Sequence, residues 1–108
     1  MGENDNIPQM TPSFENICRK DENGNEYWSS RDLCGAMGYS AYWKFQRVID
    51  KAIKVAGEKG MNVDEHFNQA VDMVKIGNGS FRKVNIFRLS RMACMIIAEN
   101  ADSKKVLV

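Results

Sequence analysis

Four cations, Lys44, Arg47, Lys51 and Lys54, recur along one segment at intervals of three and four residues. In a helix, at about 100° per residue, that spacing gathers them into one narrow arc. Phe45, Val48, Ile49, Ala52 and Ala56 fall into a second arc, so the segment can bury one face and present the other. Asp50 lies outside the basic arc. The chemistry open to such a stripe is neutralisation of successive phosphates along a nucleic acid. A solvated helix face, where Lys and Arg ordinarily sit, accounts for the same spacing.

Lys75, Arg82 and Lys83 flank a Gly77-Asn78-Gly79-Ser80 turn, in a stretch with no acid between Asp72 and Glu99 that also holds Arg88 and Arg91. Backbone N–H groups at such a tip can meet phosphate alongside the cations. An edge strand shielded by Lys and Arg against aggregation reads the same way. Tyr27, Trp28, Tyr39, Tyr42, Trp43 and Phe45 cluster around the first basic segment. Trp28 and Phe45 are assigned to the core. Tyr42 and Trp43, at the start of the helix and off its apolar arc, are assigned to contact with bases.

Other chemistry has little support. Cys34 or Cys94 with the single His66 would make a nucleophile–base pair, but no local signature accompanies them. One histidine without a second His or Cys at ligand spacing argues against zinc. The acids are scattered, and Gly77-Asn78-Gly79 lacks the Lys-Ser/Thr of a phosphate-binding P-loop. No catalytic residue, metal site or cofactor is expected.

The elements that must position these residues fit one domain of 108 residues with a net charge of +1. That balance hides an asymmetry: residues 1–26 carry six acids against two bases, and residues 27–108 thirteen bases against eight acids. No apolar run approaches the roughly 20 residues of a membrane span, and the start lacks a secretory pattern. Three widely spaced cysteines, an odd number, suit reduced thiols and a cytoplasmic protein.

Residues 1–12 read as a disordered lead-in, and residues 13–108 as the domain. A strand over 16–20, an Asn-Gly turn within 21–25 and a strand over 26–28 form a first hairpin. Ser29 or Ser30 caps a helix over 31–37 stopped by Gly38, and Ser40 caps a longer helix over 41–56 ended by Gly57 and Gly60. Residues 30–56 thus make an αα unit of helix-turn-helix type. Asp64 caps a short turn. A second hairpin pairs 70–76 with 81–87, with Arg82, Val84 and Ile86 on one face, and neither face is cleanly apolar. A helix begins at 89 and runs to about 100, apolar almost all round; Asp102 is another cap, and the ending Val106-Leu107-Val108 suggests a fragment of a longer protein. The expected fold is α+β: two small hairpins packed with about four helices.

Longer consecutive blocks carry a resemblance. Phe14-Glu15-Asn16-Ile17-Cys18-Arg19-Lys20 followed by residues 21–33, then Met37-Gly38-Tyr39-Ser40, Val63-Asp64-Glu65-His66-Phe67 and Leu89-Ser90-Arg91-Met92-Ala93-Cys94, together resemble the bacterial DNA-damage-inducible protein D family. So does Ile97-Ala98-Glu99-Asn100-Ala101-Asp102. That family is related to the Bro-N domain of viral and phage BRO and antirepressor proteins. The resemblance implies a small α+β module, a place in the DNA-damage (SOS) response, DNA or a recombination or repair protein as partner, and no catalytic residues.

The reading that follows is a non-enzymatic DNA-binding domain. Its basic residues (Lys44, Arg47, Lys51 and Lys54 on the helix; Lys75, Arg82 and Lys83 on the hairpin) are expected to converge into one positive surface, with Tyr42 and Trp43 at its edge. The alternative is a protein-interaction module that docks a recombination or replication protein through Met92, Met95, Ile96 or Ile97. A homodimer is compatible with either.

Overall fold

The computed structural model describes residues 12–101. The expected lead-in up to residue 11 and the expected Asp102 cap lie outside the described residues. Among these residues nine elements follow one another: α1 (Pro12–Asn16), β1 (Arg19–Lys20), β2 (Glu26–Ser29), α2 (Ser30–Ala36), α3 (Tyr42–Glu58), α4 (Val63–His66), β3 (Phe67–Lys75), β4 (Phe81–Leu89) and α5 (Arg91–Asn100). The fold is α+β, with five helices against one antiparallel sheet. The two expected hairpins are not separate. Trp28↔Leu89 and Ser29↔Arg88 join them into a four-stranded sheet of order β1-β2-β4-β3.

The first expected strand is shortened to its last two residues: a helix ends at Asn16, and Ile17 and Cys18 lead through a turn into β1. Phe14 is fully buried, stacks on Trp28 with ring centroids 4.5 Å apart, and accepts a hydrogen bond from Trp28 Nε1 at 2.9 Å through its carbonyl. Anchoring that aromatic pair coils the chain inward and leaves β1 only two residues long. The turn after it is as expected: Asp21 Oδ1 accepts from the N–H groups of Asn23 and Asn25, and Gly24 takes a φ of +83°.

Ser29 caps α2 by accepting from Arg31 N, whereas Ser40 does not cap α3. The N-cap of α3 is Ala41, and it offers no side-chain bond. Asn62, not Asp64, caps α4 by accepting from Glu65 N. The second hairpin is longer than its apolar pattern implies, pairing without a break from Phe67↔Leu89 to Lys75↔Phe81. Its base belongs to the core: Phe67 and Leu89 are buried, and Leu89 pairs with strands on both sides. Leu89 therefore ends β4 rather than starting the last helix, which Ser90 caps by accepting from Ala93 N.

The core lies between the sheet base and the packed helices α3 and α5. Phe45, Ile49, Ala52 and Ala56 come from α3, and Ala93, Cys94, Ile96 and Ile97 from α5. Trp28 and Phe45 are core residues, as expected. Among the described residues no helix is long and apolar enough to cross a membrane.

Candidate nucleic-acid interface

The buried side of α3 is set by Phe45, Ile49, Ala52 and Ala56. Lys44, Arg47, Lys51 and Lys54 are all exposed, on the side turned away from that core. None of the four enters an ion pair among the described residues. Asp50 accepts from Gln46 Nε2 at 3.0 Å and stays off the stripe, while Glu58 continues the stripe's angle one turn past Lys54 and closes its positive run. The first turn of α3 holds no acid and no side-chain cap. Its N–H groups and the positive end of the helix dipole thus add to the potential at Lys44.

The two aromatic candidates separate. Trp43 is 60% exposed, and Lys44 Nζ lies 5.7 Å from its ring centroid, leaving the indole open at the head of the stripe. Tyr42 is half-buried. Its hydroxyl lies 2.7 Å from Ser30 Oγ, and the Arg31 guanidinium covers its ring at 4.3 Å. Burial pushes the Tyr42 phenol above its ordinary pKa. The helical wheel places Tyr42 just beyond the apolar arc, but α2 and β4 reach that flank at the first turn, which no single-helix pattern shows.

Lys75, Arg82 and Lys83 are exposed on the outer part of the β3–β4 hairpin, and none is ion-paired among the described residues. The α3 residues that face this hairpin are Tyr42 and Gln46, which line a cavity of about 190 Å³ with Gln69, Asn85 and Phe87. The lysine stripe is turned from that side by roughly 140° around the helix. The two basic groups thus stand on separate elements, with different directions of presentation.

The remaining arginines of the basic stretch are committed to the fold. Arg91 pairs with Glu15 at 2.9 Å and Glu26 at 3.1 Å and lies over the Trp28 ring at 4.9 Å. Its hydrogen bonds hold both carboxyl groups below the usual glutamate range. Arg88 stacks over Tyr27 at 4.7 Å, and Arg19 bridges Asp32 and Asp72.

Burial raises the pKa values of Cys34 and Cys94, the reverse of what a nucleophile needs. His66 Nδ1 is bonded to Ser90 Oγ at 2.7 Å, at the cap of α5. Among the described residues no three His, Cys, Asp or Glu side chains gather as a metal site requires. The apolar helix considered for docking turns inward: Ile96 and Ile97 are buried, Met95 is partly covered and Met92 is exposed. Sequence reasoning missed a different apolar group, Val71, Met73 and Phe81, all exposed on the hairpin. Their signal was the cross-strand register, which a single strand does not display.

No family model matches the chain, and no solved structure matches it. DNA damage-inducible protein D of Escherichia coli (strain K12) is 38% identical over 95 residues, which cover 88% of this chain and 35% of that protein. The chain thus spans about a third of the relative's length. The blocks that carry the family resemblance extend from α1 to the end of α5 but leave out α3 and all of the β3–β4 hairpin except its base at Phe67 and Leu89. This match supports the DNA damage-inducible protein D family for the chain.

Proposed function

We propose that this chain is a non-enzymatic, Bro-N-like DNA-binding domain that acts in the bacterial DNA-damage (SOS) response. The observation that carries the reading is the face of α3: four exposed cations without acid partners among the described residues, opposite a fully buried side. Phosphates along a duplex are close enough for cations one helical turn apart to neutralise several together. Trp43 at the head of the stripe supplies a ring for stacking, and Lys75, Arg82 and Lys83 provide a second set of phosphate contacts from the hairpin. Contacts of this type fix position without reading bases, so affinity is salt-sensitive and sequence preference is weak. The relative's name, DNA damage-inducible, favours the same setting.

A titration of labelled duplex and single-stranded DNA at two salt concentrations tests the reading. Binding should weaken as salt rises, by about 0.9 in the log–log slope for each duplex phosphate contacted. Absence of binding at low salt by the folded chain would refute it.

A further inference from the structure

The outer half of the β3–β4 hairpin has one anchored face and one bare face. On the anchored face Val84 and Ile86 are buried, and Asp72 is held by Arg19 at 3.1 Å. The register places Val71, Met73 and Lys75 on the opposite face, with their cross-strand partners Asn85, Lys83 and Phe81. There Phe81 is 61% exposed, and residues 75–83 are exposed without interruption. The tip is nonetheless tightly built. Ile76 N donates to Ser80 O at 2.8 Å, Gly79 N to Ile76 O at 3.0 Å, and Gly79 takes a φ of +88°. That is the geometry of a three-residue loop ending in a left-handed glycine.

Charge decides what such a face suits. Lys75 and Lys83 share the bare face with the apolar side chains, Arg82 stands beside them on the opposite face, and no acid shares the bare face. A second copy would bring like charges together across the contact. Duplex DNA offers both complements, phosphates for the rim and stacked base faces for the apolar centre. A two-stranded ribbon fits a groove, and apolar wedges between base steps, flanked by cations, unstack and kink the duplex.

We propose that the hairpin enters duplex DNA as a ribbon, with Phe81, backed by Met73, as a wedge against a base step and Lys75 and Lys83 on the flanking phosphates. This rests on the DNA-binding reading above and adds a mode to it: the domain bends the DNA that it binds.

The test uses the full chain with a duplex carrying 2-aminopurine at one step and a donor–acceptor dye pair at its ends. The native chain should raise 2-aminopurine fluorescence and shorten the end-to-end distance. Phe81→Ser should lose both and bind more weakly but measurably, and Phe81→Leu, which retains an apolar wedge, should keep much of both. Phe81 is solvent-exposed, so these variants should fold, which circular dichroism checks. Binding without unstacking or bending overturns the wedge and leaves the DNA-binding reading standing. Failure to bind at all removes both. A dimer in sedimentation that Phe81→Ser converts to monomer would assign the face to a second copy and overturn the wedge.

Discussion

The Ser30 hydroxyl oxygen lies 2.7 Å from the Tyr42 hydroxyl and also accepts the backbone N–H of Phe87 at 2.9 Å. One fully buried serine therefore ties the start of α2 to the start of α3 and extends the edge of β4 where β2 has ended. Ser30→Ala leaves the Phe87 N–H without that partner and should cost about 1–3 kcal/mol in urea unfolding. Tyr42→Phe removes a single bond and should cost about 1 kcal/mol or less. Neither should change DNA affinity once the protein is folded. A large affinity loss in Tyr42→Phe with unchanged stability would return Tyr42 to the interface.

Arg91 sets the acid limit. Its hydrogen bonds lower the Glu15 and Glu26 pKa values, and backbone N–H bonds, led by that of Asn25, lower Asp21. A carboxyl group whose folded pKa is depressed contributes its full stabilisation above its unfolded pKa and loses it as pH falls through the folded value. Thermal melts should thus show stability falling below about pH 4 to 5, the unfolded carboxylate range. Arg91→Met should lower stability at neutral pH and flatten that acid limb. An unaltered pH profile in the variant would show that the pairing is not coupled to folding.

The thiols should report burial. Cys94 is enclosed in the core and Cys34 is nearly so, and burial raises both pKa values. Cys18 is half-buried, with burial and then the Glu26 charge raising its pKa. Alkylation at neutral pH followed by peptide mass mapping should label Cys18 first, and Cys34 and Cys94 only with denaturant. Rapid alkylation of Cys34 in the folded chain would contradict this packing.

On α5, Ile97 is wholly inside while Met92 is half exposed. Ile97→Ala should cost about 2–5 kcal/mol, and Met92→Ala much less. Similar small effects from both would mean that α5 does not pack on α3 as described.

Local chemistry made much of this fold legible. The Asn-Gly turn, the Ser29 cap and the apolar arc of α3 each depend on neighbours within a few residues. What stayed hidden depends on partners far along the chain. The α1 turn follows from the Phe14–Trp28 stack, and the union of the hairpins from Trp28↔Leu89. The same division holds for the candidate site. The basic stripe could be read from spacing within one helix. The commitment of Tyr42 to Ser30 and of Arg91 to Glu15 and Glu26 involves elements 12 to 76 residues apart. The side-by-side placement expected for stripe and hairpin is likewise tertiary, and the two cation sets occupy separate elements.

The most direct test of the central claim is the salt dependence of duplex binding for Lys44→Glu/Arg47→Glu beside the native chain. Both positions are exposed and unpaired among the described residues, so the double variant should stay folded. Weaker binding and a log–log salt slope shallower by about 2 are expected, one phosphate contact for each cation removed. Unchanged affinity and slope in the folded variant would contradict a DNA-binding role for α3.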